Sequence, residues 1–264
     1  MSYMGRVETF FLSISAAILA IFLAGPLVTA VPSPLPASLA QQSGVSTETV
    51  HFDSGGFNID AFVARPSGAE KYPAVLVIHD NLGLDDSMRE IAKRFAAAGF
   101  VALAPDFTSR RGGTGTPDQM AQAVAQLSPN LTLQDARSAI DYLQTNPAVN
   151  TDRISTVGFG WGGWRSFMLA ASTPELYRAV IYSGTAPSQS FDTVHAAILA
   201  HYAQYDFRTT GNALVTEKAM TEAGKHFSYF VYPRTYRAFY VPGAQYNADA
   251  ANLAWNRTLD FLRK

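Results

Sequence analysis

Ala74-Val75-Leu76-Val77-Ile78 is an unbroken apolar, β-rich run, and it restricts the class of fold this chain can adopt. A strand with one wet face alternates in polarity. A run that is apolar at every position suits a strand covered on both faces, as in a parallel sheet flanked by helices. The segment Pro73 to His79 that contains it is one of a series. Ser87 to Ala98 follows as an amphipathic helix, with Met88, Ile91, Phe95 and Ala98 on one side and Gly99 as its stop. Phe100 to Ala104 is the next buried strand, ending at Pro105-Asp106, and Arg110 to Pro117 is a glycine-rich loop.

The pattern continues to the C-terminus. Helices are expected at Gln119 to Leu127, at Leu133 to Thr145 (capped by Thr132, with Asp135 three residues on), at Ala213 to Glu222 and at Ala248 to Leu262. Strands are expected at Ile154 to Val157, Ala179 to Tyr182, Ala196 to Tyr202 and Ser228 to Tyr232. Ahead of all these, Thr49 to Phe52 and Phe57 to Ala64 flank Asp53-Ser54-Gly55-Gly56, which is a hairpin signal. Strands alternating with helices predict an α/β fold: a doubly wound, mainly parallel sheet with helices on both faces.

The 264 residues are 48% hydrophobic and 16% charged, which supports a substantial core and argues against disorder. A net charge of -1 gives no footing for a nucleic-acid surface. The absence of cysteine excludes disulfides, thiolate metal sites and a cysteine nucleophile.

Thr9 to Val31 carries no charged residue, Arg6 precedes it, and Val28-Thr29-Ala30 has the small residues of a cleavage site. Residues 1–31 therefore read as a signal peptide or as an N-terminal membrane anchor, a hydrophobic transmembrane helix. Either reading exports the domain. It would be membrane-anchored on the periplasmic or extracellular side, or secreted after cleavage. Residues 32–45, with Pro32, Pro34 and Pro36, read as a proline-rich linker, and residues 46–264 as the folded domain.

Val157-Gly158-Phe159-Gly160-Trp161-Gly162-Gly163 follows one expected strand and opens an expected helix, Trp164 to Ala171. In a G-x-S-x-G nucleophile elbow, the central residue of such a turn carries the attacking atom. Here that residue is Gly160. The same glycines match a dinucleotide fingerprint. However, about a hundred domain residues precede them, and the next strand ends at Ser183-Gly184 without an acid to hold a ribose.

At the carboxyl ends of the strands stand His79-Asp80-Asn81, Asp106, Gly160, Asp206 and Arg237. With these residues the chain resembles the dienelactone hydrolase family of carboxymethylenebutenolidase-like α/β-hydrolases. The matching pieces are Val77-Ile78-His79-Asp80-Asn81-Leu82-Gly83-Leu84, Ala97 to Asp106, Val157 to Gly163, Tyr202 to Asp206, Tyr232-Pro233, Arg237-Ala238-Phe239 and Ala254 to Thr258. The resemblance implies an α/β-hydrolase fold and cofactor-free hydrolysis of lactones or small esters.

Carried over residue by residue, the resemblance sets the family's nucleophile at Gly160, its acid at Asp206 and its histidine at Arg237. The acidic residue after the first buried strand falls at Asp80, and a substrate-contacting arginine at Arg110 or Arg111. Glycine cannot attack a carbonyl, and arginine stays protonated near neutral pH, so it cannot serve as a general base. The triad is incomplete. The turn at Gly160 is expected to be more relaxed than an elbow that must hold a side chain.

Several residues admit two readings. Asp206 and Arg237 form either a structural ion pair or part of a site for a small polar or anionic ligand, with Asp80, Asn81, Arg110, Arg111 and Trp161 as its other contacts. Asp80, Asp106 and Asp206 read as loop and capping residues rather than a metal site. His79 reads as a hydrogen-bonded scaffold residue and His201 as core or interface. Ser155, Ser166 and Ser183 are the candidates for a replacement nucleophile. Tyr236, Phe239, Tyr240 and Tyr246 give the loop after the last strand an aromatic surface. The leading expectation is an exported pseudo-hydrolase that binds or scaffolds, in the anchored case as an accessory subunit of a membrane complex. The alternative is an active ester or lactone hydrolase with a rearranged site.

Overall fold

In the computed structural model, residues 44–113, 115–188 and 190–264 are described. The expected leader or anchor over 1–31 lies outside them, as does the expected linker up to residue 43. Among the described residues no helix is long and apolar enough to cross a membrane.

An eight-stranded sheet carries the fold. Its strands are β1 (Val45–Ser54), β2 (Phe57–Pro66), β3 (Tyr72–Ile78), β4 (Val101–Pro105), β5 (Val149–Phe159), β6 (Arg178–Tyr182), β7 (Ala197–Ala203) and β8 (Phe227–Tyr232), in the order β1-β2-β4-β3-β5-β6-β7-β8. β1 and β2 form the expected hairpin, closed by Gly55-Gly56 with both glycines at positive φ. β2 also pairs antiparallel with β4, and every later pairing is parallel.

The helices are α1 (Asp86–Ala97), α2 (Pro117–Ala125), α3 (Pro129–Thr145), α4 (Trp161–Ala170), α5 (Phe207–Thr210), α6 (Ala213–Glu222) and α7 (Ala248–Arg263). A short 3-10 turn at Ser109–Arg111 interrupts the glycine-rich loop. The two faces of the sheet bury different sets of side chains. Ala74, Leu76 and Ile78 pack with Ala136, Ala139 and Leu143 of α3 and Phe167 of α4. Val75 and Val77 pack with Met88, Ile91 and Phe95 of α1 and Ala254 and Leu262 of α7. The unbroken apolar run thus serves two cores at once. Each fully buried side chain of this size contributes about 1.5–3 kcal/mol relative to exposure.

α1 and α2 begin one and two residues before the expected Ser87 and Gln119, and two other helix starts differ by more. α3 begins at Pro129 with Ser128 as its cap, and Thr132 lies inside the first turn, where its hydroxyl donates to the Ser128 carbonyl. Proline is preorganised for that first helical position. α4 begins at Trp161 rather than Trp164, because the chain turns into helix immediately after Gly160. Gly162 and Gly163 are weak helix formers, but close packing requires both: a Cβ on Gly162 would run into the Ile78 and His79 carbonyls, and one on Gly163 into the Tyr182 carbonyl.

Candidate functional site

The strand order changes direction at β3. From β3 the chain runs through α1 to β4 on one side, then through α3 to β5 on the other. Doubly wound sheets open a crevice at such a point, outside the carboxyl ends of the two strands. Asp80 and Asn81 follow β3, and Gly160 follows β5, so these three residues meet there.

Gly160 has φ 49° and ψ -101° and joins β5 directly to α4. Its N–H donates to the Tyr182 carbonyl at 2.8 Å, and its own carbonyl accepts from Gly163. This is the sharp strand-to-helix turn of an elbow, and the expectation of a more relaxed turn is not met. The backbone anchors on both sides of the apex hold the conformation with no side chain present. Glycine takes a positive φ at little steric cost.

The carboxylate of Asp80 fills the space a side chain at 160 would need: a Cβ built on Gly160 falls against both its oxygens. Asp80 Oδ1 accepts from the N–H of Asn81 at 2.8 Å and the N–H of Trp161 at 2.9 Å. Oδ2 accepts from the Tyr240 hydroxyl at 3.0 Å. In α/β-hydrolases with a G-x-S-x-G elbow, the N–H after the nucleophile and an N–H from the loop after the third strand form the oxyanion hole. The corresponding pair here is satisfied internally by a carboxylate. Burial first, and the adjacent Asp80 charge second, raise the Tyr240 pKa well above its usual value, so the phenol remains a donor.

His79 supports this arrangement from below. Its Nδ1 is 2.7 Å from the Asp80 carbonyl, and its Nε2 accepts from the Phe107 N–H at 3.3 Å, which assigns the proton to Nδ1. The ring is 1% exposed and stacks on Trp161, with centroids 5.3 Å apart. Burial lowers its pKa, and the imidazole is neutral. His201 lies in the core, with Nδ1 2.9 Å from Tyr232 Oη and Nε2 3.0 Å from Thr258 Oγ1. Neither histidine faces the apex as a base.

Asp206 and Arg237 do not form the ion pair considered above. Asp206 Oδ2 is buried without a hydrogen-bond partner, and Arg237 takes part in none of the ion pairs among the described residues. Instead, the Arg237 carbonyl accepts from Ser183 Oγ at 2.9 Å. Ser183 directly follows β6 at φ 50°, a left-handed conformation that strains a non-glycine residue. Its hydroxyl is committed to a carbonyl and has no base beside it. Ser166 Oγ donates to the Val180 carbonyl, and Ser155 is buried within β5. None of the three is activated as a nucleophile.

Arg110 and Arg111 point elsewhere. Arg110 forms a bidentate pair with Asp135 of α3, at 2.7 and 3.1 Å, donates to the Ser54 carbonyl and lies over the Phe57 ring. Arg111 donates to Gln126. Asp106 accepts from the N–H and hydroxyl of Thr108, as a loop-capping acid does. Of the loop aromatics, Tyr236 and Tyr246 are exposed, but Phe239 and Tyr240 belong to the core. They pack edge-on against each other and close to Tyr182.

A cavity of about 450 Å³ opens beside the apex. Gly160, Asn81 and Trp161 line it, with Ser183 and Trp164. So do three arginines: Arg165, Arg208 and Arg237. Sequence reasoning singled out only the last. Arg165 had a legible signal: it lies four residues after Trp161, so helical spacing sets both on one face of α4. Its guanidinium sits 3.6 Å from the Trp161 ring centroid and 4.9 Å from that of Trp164. Burial lowers its pKa to about 10, so it is still charged at neutral pH. Arg208 lies on the four-residue helix α5, which carries no periodic signal.

The profile of the dienelactone hydrolase family matches residues 59–264. A protein of Bradyrhizobium named as a 2-oxo-3-(5-oxofuran-2-ylidene)propanoate lactonase is 30% identical over 240 residues, covering 83% of this chain and 96% of its own. A protein of Escherichia coli K12 named as a carboxymethylenebutenolidase is 27% identical over 254 residues, covering 88% of this chain and 93% of its own. Among solved structures, a dienelactone hydrolase-type protein of Klebsiella pneumoniae superposes with a TM-score of 0.75 at 23% identity, covering 83% of this chain and 99% of that one. A dienelactone hydrolase from Anabaena variabilis gives a TM-score of 0.64 at 20% identity, covering 83% and 98%.

Proposed function

The chain belongs to the dienelactone hydrolase family, and we propose that it is a member that binds at the family's cleft without hydrolysing there. One observation carries this reading: the Asp80 carboxylate stands where a side chain at position 160 would be, and it accepts the two N–H groups placed to hold an oxyanion. Hydrolysis of an ester or lactone needs a nucleophile at the apex and free donors for the developing oxyanion. Gly160 supplies no nucleophile, and a fixed negative charge beside those donors opposes a second one. The general base is missing as well, since arginine, the residue type at position 237, does not act as a base near neutral pH, and Asp206 Oδ2 has no partner to orient. Loss of a triad member typically lowers the rate by orders of magnitude.

The domain's role in this reading is recognition: of a small polar or anionic ligand at the cleft, or of a protein partner for which the fold is a scaffold. The uncharged segment from Thr9 to Val31 supports export, with the domain tethered to a membrane or released. A tethered domain suits an accessory subunit of a membrane complex.

Covalent capture tests the reading. The purified protein is incubated with an activated fluorophosphonate and with an activated ester, and its intact mass is followed. The expected spectrum shows no stoichiometric adduct. An adduct mapped to Ser183 or to any other residue lining the cleft would establish a working nucleophile and overturn the proposal.

A further inference from the structure

We propose that the cavity beside Gly160 is a receptor site for a small, doubly charged anion joined to a flat apolar body, of which an aryl phosphate monoester is the simplest example. This names the ligand class for the non-hydrolytic cleft described above and rests on that reading. Three arginines from three separate elements line this one cavity: Arg165 from α4, Arg208 from α5 and Arg237 from the loop after β8. None of the three has a carboxylate within ion-pair distance among the described residues. The nearby acid, Asp80, is already taken up by two N–H groups and the Tyr240 hydroxyl.

Arg165 is the least solvated of the three. It is packed on indole and spends one N–H on the Trp161 carbonyl, and its Nε is buried without a partner. A desolvated charge without a counter-ion is unfavourable, and an incoming anion relieves it. The charge count selects the anion. A single carboxylate would leave two of the three cations unneutralised. A phosphate monoester carries about -1.5 to -2 near neutral pH and presents three acceptor oxygens that guanidiniums can bind bidentately.

The apolar requirement comes from Trp164. Trp161 is faced by His79 and by Arg165. Trp164 lines the same cavity and has no ring partner among the described residues beyond its contact with Arg165. It offers the wall against which a flat body can lie. A cavity of about 450 Å³ lies within the size range of small-molecule sites.

The test is titration of the full chain with phenyl phosphate, inorganic phosphate, benzoate and phenol, read by calorimetry and by tryptophan fluorescence. Phenyl phosphate is expected to bind best, with inorganic phosphate and benzoate each about tenfold weaker and phenol undetected. Arg208→Gln, at an exposed position, and Arg237→Gln, at a partly exposed one, should each weaken phenyl phosphate about tenfold. Trp164→Ala should weaken phenyl phosphate while leaving inorganic phosphate unchanged. Arg111→Gln, outside the cavity, should change nothing. Absence of binding at millimolar phenyl phosphate, or equal affinity in the Arg208→Gln/Arg237→Gln double variant, would overturn the inference. Ester turnover with the binding pattern intact would instead remove only the non-hydrolytic reading.

Discussion

Tyr240 Oη donates to Asp80 Oδ2 at 3.0 Å, linking residues 160 positions apart directly beneath the elbow apex. Tyr240 is almost fully buried between Phe159, Tyr182 and Phe239, so it presents a fixed donor. Asp80 is thereby held from three directions in the space a nucleophile would use. Position 160 and Asp80 are sterically coupled, which gives a first prediction. Gly160→Ser should destabilise the protein by about 2–5 kcal/mol, combining overpacking with a positive φ. In an Asp80→Ala background the same change should cost at least about 1 kcal/mol less. Denaturant midpoints across this double-mutant cycle measure the coupling, and simple additivity would contradict it.

Arg110 is predicted to matter for stability and not for the cleft. Asp135 is 1% exposed, and Arg110 is the partner that neutralises it, its own pKa held up by hydrogen bonding to that carboxylate. Arg110→Met would strand a buried carboxylate and should cost about 2–3 kcal/mol. Affinity for an anionic ligand at the cleft should not change. Chemical denaturation and the phenyl phosphate titration, run on the same preparation, separate these two roles.

Asp206 is predicted to be expendable. Its Oδ2 is buried without a partner, so the side chain is no longer supported by the base it would orient in a working triad. Asp206→Ala should shift stability by no more than about 0.5 kcal/mol, or raise it, because an unsatisfied buried acceptor is removed. Thermal melts of the variant and the unmutated protein are sufficient. A loss of several kcal/mol would mean that the carboxylate has a partner in solution.

Stability should fall on mild acidification. Burial first, and the nearby Arg257 charge second, push the His201 pKa down to about 3, against an ordinary value near 6.5. Between those values the unfolded chain binds a proton that the folded chain does not, so stability is complete above about pH 6.5 and declines as the pH falls. His79 is shifted the same way. His201→Gln should reduce the slope of unfolding free energy between pH 6 and 5 by roughly 1 kcal/mol per pH unit. An unchanged slope would show that His201 is protonated in the folded protein.

The sheet was legible because its buried strands have a two-faced composition: Ala74 to Ile78 could serve nothing else. The beginning of β5 was not, since Asn150, Thr151 and Asp152 are polar, the first partly exposed and the other two exposed. Nor was the start of α4, where tight packing overrides the low helix propensity of Gly162 and Gly163. At the site, the bare apex was readable from Gly160 alone, because a missing side chain needs no geometry to recognise. The place of Asp80 was not, since it depends on β3 and β5 meeting at the point where the strand order turns. Arg110 and Arg111 looked like ligand contacts through the family resemblance alone, and the pairing of Arg110 with Asp135 of α3 depends on tertiary packing that the sequence does not display. Arg165 and Arg208 escaped notice because helix starts, not residue types, bring them to the cavity.

Steady-state turnover tests the central claim most directly. Short-chain p-nitrophenyl esters and a dienelactone are assayed with rigorously purified protein beside Asp206→Ala. A Gly160→Ser/Arg237→His/Asp80→Ala variant serves as the attempted reconstruction. The account predicts that the unmutated protein and Asp206→Ala both remain at the buffer rate, with any gain confined to the reconstructed variant. Saturable turnover by the unmutated protein that is lost in Asp206→Ala would show a working acid at this site, and the cleft would then have to be read as catalytic.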